Sequence, residues 1–263
     1  MPPLADAVEV YHDLLTESVA AASQAELDRQ SKLHQLYFGD RPVCSVLRPR
    51  FLSVDQYRVL GSRIAALMPA FQKVYAAAIE SADFRGQFGL RPEEEELLAA
   101  DPGFPDPSPT ARLDSFFVSE SELKFTEYNA ETPAGAGYND ALADAFYALP
   151  IMRAFLRKYD VHPLPARPHV LDALLDSFEQ WQGHRSDPPR IAILDWSEVP
   201  TVSEFRIFEN YFRDLGIDCE IVDPRNVEYA NGGLRAGDFR FNLIYKRVLI
   251  SELIERGGLD HPV

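Results

Sequence analysis

Hydrophobic positions in the first hundred residues recur at intervals of three and four, a pattern typical of helices. Residues 6–38 are rich in Ala, Leu, Glu and Gln and predict one long helix or two short ones. Ser53 is a favourable N-cap for the next helical segment, which Pro69 is expected to kink or split. Pro92 and the acidic residues after it favour the first turn of another helix. Residues 1–110 are therefore predicted to form a mainly helical region.

The pattern changes after the proline-rich segment 101–110, which predicts a loop. Residues 111–118 and 123–130 are rich in aromatic and branched residues, so they predict two strands around the polar turn SESE. A helix is expected over YNDALADAFYAL, and two more over 151–159 and 169–181.

The last part of the chain predicts a βαβ unit. RIAILDW is a short apolar run typical of a buried parallel strand, SEFRIFENYFRDLG is an amphipathic helix ending at Gly216, and IDCEIVD is a second strand. Asn231 and Gly232 signal a hairpin turn, and SELIERGG predicts a short helix. Two or three strands leave open sheet edges and an uncovered face. Either a second copy of the chain or a missing C-terminal half is therefore expected to complete the sheet.

Composition and charge narrow the function classes. The chain has 26 Lys and Arg against 41 Asp and Glu, and its formal net charge of −15 disfavours binding to nucleic acid or anionic membrane. No apolar run approaches the roughly 18 residues of a membrane-spanning helix. The acidic N-terminus does not resemble a signal peptide, so a cytoplasmic location is expected. Cys44 and Cys219 are too few for a disulfide framework or a cysteine-based zinc site, and the histidines lack catalytic or zinc-binding spacing.

The predicted hairpin carries the sharpest chemical signal. A symmetric turn at residues 120–121 predicts three facing pairs: Asp114–Glu127, Arg112–Asn129 and Phe116–Phe125. The polar members then project from one face, because side chains alternate along a strand. Opposed carboxylates repel each other unless a cation or a proton lies between them. Two carboxylates and an amide oxygen suit Mg²⁺ or Mn²⁺ better than zinc, and such sparse sites usually share the ion with nucleotide phosphates.

Two other interpretations apply to the same hairpin. A polar strand face is most often solvated and carries no more than a surface ion pair. A bulged three-residue turn would shift the register and separate Asp114 from Glu127. Under the metal interpretation, the forked guanidinium of Arg112 would bind a phosphoryl group or a developing anionic oxygen.

Three segments resemble the circularly permuted ATP-grasp ligases, in particular glutathionylspermidine synthase-like proteins: RLD at 112–114, EYN at 127–129 and AETPAGAGYN at 130–139. The βαβ segment looks like the Rossmann-like pre-ATP-grasp unit of that family. The resemblance implies an α/β (α+β) fold after the helical region. Residues 111–187 would form the β-hairpin and helices of the permuted ATP-grasp domain, and 188–263 a partial Rossmann-like pre-ATP-grasp domain.

The resemblance also implies a site and a reaction. It assigns Mg²⁺ to Asp114, Glu127 and Asn129, and phosphoryl-transfer catalysis to Arg112. It places the glycine loop at the edge of the nucleotide cleft and includes Arg112 in ATP binding. From the residues alone, Gly135 and Gly137 either bind phosphate, because their N–H groups can approach an anion, or form a plain turn. Lys246 and Arg247 end a strand and project to opposite faces, so at most one of them, taken here as Lys246, would reach ATP, and otherwise each is expected on the surface. The implied substrates are a small-molecule or peptide carboxylate and an amine. The carboxylate would take the γ-phosphoryl group as an acyl phosphate, and the amine would then displace phosphate.

Members of this family continue into lysine-bearing motifs that do not follow Val263 in this sequence. The isolated chain is therefore expected to bind nucleotide weakly and to be inactive as a ligase. The alternative from another class is a non-catalytic binding module or partner subunit that keeps the scaffold. A smaller expectation concerns Asp195, Ser197 and Glu198, which follow the first strand of the βαβ unit. Either they recognise substrate, or Thr201 or Ser203 next to them caps a helix.

Overall fold

The computed structural model describes residues 4–98, 100–104, 108–119, 121–184 and 188–263 and combines helix with sheet. The elements before residue 100 are α1 (Leu4–Leu14), α2 (Glu17–Leu33), β1 (Tyr37–Phe38), β2 (Arg41–Pro42), α3 (Val54–Glu80), α4 (Ala82–Arg85) and α5 (Pro92–Leu97). The helical character predicted here is confirmed, with two helices rather than one in the first segment. Residues 105–107 of the predicted proline-rich loop lie outside the described residues.

Helix α3 begins where predicted and is not split by its proline. Ser53 Oγ accepts the Gln56 N–H at 3.1 Å, and Gln56 Oε1 accepts the Ser53 N–H at 3.3 Å, which forms a capping box. The helix continues through Pro69, contrary to the predicted split. Proline leaves the Ala65 carbonyl without its helical donor, but both residues are exposed, so that carbonyl is open to water.

The middle of the chain forms a two-stranded ribbon followed by helices. The elements are β3 (Arg112–Phe117), β4 (Leu123–Asn129), α6 (Ala136–Ala148), α7 (Pro150–Phe155) and α8 (Arg167–Gln182). Strands β3 and β4 pair antiparallel as predicted. Helices α6 and α7 pack against α1 and α2 around Tyr11, Leu27, Phe146 and Phe155, so this core joins residues from both sides of residue 110.

The last part of the chain contains the predicted βαβ unit. Its elements are β5 (Ile191–Leu194), α9 (Val202–Asp214), β6 (Cys219–Val222), β7 (Val227–Ala230), β8 (Gly233–Ala236), β9 (Phe239–Phe241), β10 (Leu243–Lys246) and α10 (Ile250–Gly257). Strands β10, β5 and β6 form a parallel sheet in that order, and β7, β8 and β9 form an antiparallel sheet. The β7–β8 turn is at Asn231 and Gly232, both with positive φ, as the sequence predicted.

The parallel sheet is covered on both faces. All four residues of β5 are buried, and alternation sends them to two different cores. Ile191 and Ile193 pack with the α9 phenylalanines Phe205, Phe208 and Phe212. Ala192 and Leu194 pack with Trp196, Phe239 and Phe241 on the other face. Among the helices of the described residues, none combines the length and the apolar character that crossing a membrane requires.

Candidate functional site

The hairpin brings the predicted polar residues together. Asp114 lies directly opposite Glu127, and Arg112 lies directly opposite Asn129. Because alternate residues of a strand share a face, the four side chains project from the same side of the ribbon. The predicted register is therefore confirmed at these two pairs.

The register changes beyond Asp114, where β4 carries a bulge. Phe116 pairs with Lys124, and Phe125 pairs with Ser115, so the predicted Phe116–Phe125 pair is wrong. Thr126 is the extra residue, and its hydroxyl donates to the Asp114 carbonyl at 3.1 Å. A bulge adds one residue to a single strand and displaces every pair on its far side. Glu120, at the centre of the predicted turn, lies outside the described residues.

The four polar side chains bond to one another. Arg112 donates to both carboxylate oxygens of Asp114, from Nε at 2.7 Å and from Nη2 at 3.2 Å. The Asn129 amide, with its nitrogen toward Glu127, donates to Glu127 Oε1 at 3.1 Å and accepts from Arg112 Nη2 at 3.3 Å. The hydrogen bond from Arg112 is the main cause that lowers the pKa of Asp114. Asp114 is therefore an ionised carboxylate at neutral pH.

This face is open to solvent. The Arg112 side chain is 44% exposed and the Asp114 side chain 37%, so an ion or a phosphate can reach both without unfolding the ribbon. The opposite face of β4 lies against α3, where the Tyr128 ring stacks on Phe71 at 4.0 Å. That contact lies beside an apolar cleft of about 480 Å³.

The glycine loop after β4 does not present free N–H groups to this face. The N–H groups of Gly135 and Gly137 donate to Glu204 Oε1, at 2.7 and 3.0 Å. A Cβ on Gly137 would lie 2.9 Å from Glu204 Cγ, so the glycine is needed for close contact with α9. Glu204 thus occupies the position expected for phosphate, and the assignment of ATP to these two glycines does not fit the observed bonds. The Ala134 carbonyl accepts from Arg112 Nη1 at 2.7 Å.

Lys246 and Arg247 both contact the loop, but on different residues. Lys246 Nζ donates to Glu131 Oε1 at 2.7 Å and to the Val248 carbonyl at 3.0 Å, and among the described residues it makes no hydrogen bond to the four hairpin side chains. Arg247 was expected on the surface, but it is only 6% exposed and donates to the Pro133 carbonyl. The last residue of β10 and the residue after it therefore anchor the loop to the parallel sheet.

Glu204 and Arg247 form a buried ion pair that the sequence analysis missed. Their side chains are 1% and 3% exposed, and Arg247 Nη2 lies 3.8 Å from Glu204 Oε2. Glu204 Oε2 and Arg247 Nε have no hydrogen-bond partner within the described chain. A sequence signal for this pair did exist: Glu204 precedes Phe208 and Phe212 at intervals of four, so it lies on the apolar stripe of α9.

Polar residues at the carboxyl ends of β5 and β6 form a separate network. Asp195 is 7% exposed and accepts the Trp196 N–H at 2.8 Å. Glu198 pairs with Arg225 at 2.7 Å and with Arg256 at 3.3 Å. Glu198 is thus paired with two arginines. Thr201 occupies the N-cap position of α9, as expected, but its side chain makes no capping hydrogen bond there.

No protein-family model matches this chain, and no curated protein matches it significantly. Within the described ranges, no group of three or more His, Cys, Asp and Glu side chains is arranged to hold a metal ion. The hairpin set is of a different kind, with the two carboxylates Asp114 and Glu127 and the amide of Asn129.

Proposed function

We propose that this chain carries the Mg-nucleotide hairpin of an ATP-dependent carboxylate–amine ligase of the ATP-grasp type. The observation that supports the proposal best is the direct opposition of Asp114 and Glu127 on a solvent-open strand face. Arg112 and Asn129 flank the two carboxylates on the same face. The resemblance of the RLD and EYN segments to that family supplies the reaction class.

The donor chemistry of the face fits magnesium. Two carboxylates and one amide oxygen are hard oxygen ligands, and a site with so few protein ligands leaves positions for phosphate oxygens and water. Bound there, the ion would neutralise charge on the triphosphate. Asp114 forms an ion pair with Arg112 in the structure, and the exposure of both groups lets that pair rearrange at small cost in free energy.

Each residue then has a stated task in the proposed reaction. Asp114, Glu127 and Asn129 hold the cation, and Arg112 binds the oxygens of the transferred phosphoryl group through its forked guanidinium. A carboxylate substrate would attack the γ-phosphorus, ADP would leave, and an amine would displace phosphate from the acyl phosphate to form the amide. Catalysis by this face would consist of positioning and charge stabilisation.

The test is thermal unfolding in millimolar Mg-ATP, compared with Mg²⁺ alone and with ATP plus chelator. A ligand that binds only the native state raises its apparent stability, so Mg-ATP is expected to raise the midpoint more than either component. Asp114→Asn and Glu127→Gln are expected to abolish the difference. Glu122→Gln is the matched control, because Glu122 is an exposed acid of the same hairpin that pairs with Lys124. An unchanged response in Asp114→Asn would contradict the proposal.

A non-catalytic binding subunit is the second candidate function, and one observation favours it. The loop groups expected to receive a triphosphate already have partners, since Gly135 and Gly137 donate to Glu204 and Lys246 pairs with Glu131. This alternative predicts no midpoint difference with Mg-ATP in the unaltered chain. ATP turnover in the presence of amine and carboxylate would exclude it.

A further inference from the structure

A polar groove lies away from the hairpin, between the end of α2, the start of α8 and the outer face of α9. Its volume is about 190 Å³, and no residue of β3 or β4 lines it. Side chains of both charges line it, including His34, Gln35, Arg167, Arg206, Asn210 and Asp214. Two residues of this groove, Gln35 and Asp214, are unusual at the ends of helices.

The first is Gln35, which occupies a left-handed backbone position with φ of 53°. The Leu36 N–H bonds to the Ser31 carbonyl at 2.9 Å, and the Gln35 N–H bonds to the Lys32 carbonyl at 3.4 Å. This is the Schellman end of α2, where glycine is the usual residue because a Cβ is disfavoured at positive φ. Gln35 places an amide at the groove, and its Oε1 accepts from Arg206 Nη1 at 3.4 Å.

The second is Asp214, the last residue of α9. A carboxylate at a helix C-terminus meets the negative end of the helix dipole. The neighbouring Arg213 does not compensate it, since Arg213 pairs with Glu209 at 3.1 Å. Among the described residues Asp214 has neither an ion pair nor a side-chain hydrogen bond. It is therefore an exposed carboxylate without an ion-pair partner among the described residues.

The opposite end of the groove carries positive charge. Arg206 is exposed, and within the described chain its one hydrogen bond is to Gln35, with no carboxylate partner. Arg167 also lines the groove, where it pairs with Asp140 at 3.3 Å and lies 5.3 Å from the centre of the Tyr211 ring. Arg206 and Asp214 are two helical turns apart, roughly 12 Å along the axis, with Asn210 between them.

We propose that this groove binds a small zwitterion of the ω-amino acid class, whose carboxylate and ammonium are separated by several carbon atoms. The carboxylate binds Arg206 beside the Asn210 amide, and the ammonium binds Asp214. A phosphate dianion would meet the unpaired Asp214, and a metal cation would meet Arg206, so neither matches both ends. Liquid water occupies about 30 Å³ per molecule, so a groove of about 190 Å³ holds about six waters. A ligand of about eight heavy atoms would displace them.

The test is calorimetric titration with three probes of equal chain length: 5-aminopentanoate, pentanoate and pentylamine. The zwitterion is expected to bind at least tenfold more tightly than either singly charged probe. Equal affinity for pentanoate and 5-aminopentanoate would overturn the proposal, because it would exclude a role for Asp214. Failure of 5-aminopentanoate to bind at millimolar concentration would overturn it as well.

Variants assign the two ends separately. Arg206→Gln and Asp214→Asn are each expected to lower the affinity for 5-aminopentanoate at least tenfold. Arg63→Gln and Glu220→Gln, at exposed positions on α3 and β6, are the charge-matched controls and are expected to change nothing. All four positions are exposed, so loss of folding does not explain a loss of binding. Unchanged binding in Arg206→Gln would overturn the proposal.

Gln35 supplies an independent check. Gln35→Gly removes the acceptor that orients Arg206 and restores the residue preferred at this helix end. We expect Gln35→Gly to bind 5-aminopentanoate more weakly. We expect its thermal midpoint to be at or above that of the unaltered chain. Unchanged binding with a lower midpoint would contradict the proposal, because Gln35 would then serve the helix end alone. None of these measurements involves nucleotide, so their outcome is separate from that of the ligase proposal.

Discussion

Asp195 is a nearly buried carboxylate at the end of β5, and its surroundings raise its pKa. Burial is the main cause, and Glu252 adds to it, while the Trp196 N–H, Arg247 and Lys246 act in the opposite direction. A carboxyl whose pKa is higher in the folded chain binds more protons there than in the unfolded chain. Stability therefore falls as pH rises from the ordinary value of 3.8 through the folded pKa.

Asp195→Asn is accordingly expected to increase the free energy of unfolding at pH 7. The asparagine keeps an oxygen for the Trp196 N–H and carries no charge to desolvate. The gain is expected to shrink as the pH is lowered toward 4, because Asp195 then becomes neutral in the folded chain. Urea unfolding between pH 4 and 7 measures this, with the exposed Asp176→Asn as control. A gain that does not change with pH would contradict the stated cause.

At the hairpin, the local sequence predicted some of the strand pairs and contacts but not others. Asp114 and Glu127 were predicted to face each other from a symmetric turn at residues 120–121, but the pairs nearer the turn are displaced by one residue, so their opposition also depends on the bulge. The bulge at Thr126 was not predicted, because no glycine or proline marks it and its hydroxyl bond to Asp114 forms only in the folded ribbon. The Glu204 bonds to the glycine loop join residues 67 and 69 positions apart, which no local pattern shows.

At the scale of elements, the contact between α6 and α9 depends on Gly137, which has no side chain. Gly137→Ala would place a Cβ 2.9 Å from Glu204 Cγ and 3.1 Å from a Phe208 ring carbon. This overpacking is expected to lower the free energy of unfolding by about 1–3 kcal/mol. Gly61→Ala in α3 is the matched control, since nothing lies within 4 Å of its added Cβ. The control is expected to stabilise the chain by about 1 kcal/mol, because alanine is the better helix former.

These two substitutions are compared by urea unfolding at neutral pH. A stabilising Gly137→Ala would contradict the described contact between α6 and α9. Equal effects at both positions would mean that helix propensity, and not packing, decides the cost.

The same pair of helices is joined to the parallel sheet by the Glu204–Arg247 ion pair. Glu204→Gln keeps an oxygen for the two glycine N–H groups but leaves the buried Arg247 without its counter-charge. Breaking a buried pair from one side is expected to cost about 3–5 kcal/mol. The exposed Arg235–Glu228 pair supplies the control, and Glu228→Gln is expected to cost less than about 1 kcal/mol.

Chemical denaturation of both variants measures the difference. A loss in Glu204→Gln no larger than that in Glu228→Gln would show that Arg247 finds other compensation, for which the Pro133 carbonyl is the nearest described group. The pair lies under the loop that also receives Arg112, so the glutamine variant also weakens the support of the hairpin face.

Elements with strong local signals were predicted well, and elements defined by distant contacts were not. Ser53 and the apolar pattern after it located the start of α3, because a capping box is a local interaction. The short strands β1 and β2 were missed, since pairs such as Tyr37–Pro42 lack an alternating pattern. Pro69 shows the converse, in that a local breaking signal did not end the helix at an exposed position.

At the scale of the whole molecule, burial is distributed unevenly between the parallel sheet and α3. Every residue of β5 is buried, whereas Gln56 is the one buried residue of the 27-residue helix α3. Several large apolar side chains of α3 are exposed, including Val74, Tyr75 and Ile79. Isolated helices gain little stability from propensity alone, and most comes from packing an apolar face.

Hydrogen exchange is therefore expected to be much slower in β5 than in α3. Opening of a poorly packed helix requires only a fraction of the global unfolding free energy, whereas a central strand opens only with the whole domain. Exchange monitored by mass spectrometry should give α3 peptides protection at least about 100-fold below that of β5, equivalent to about 3 kcal/mol in opening free energy. Equal protection that falls on dilution would show that the apolar face of α3 is covered by another molecule in solution. Equal protection that persists on dilution would contradict the packing described for α3.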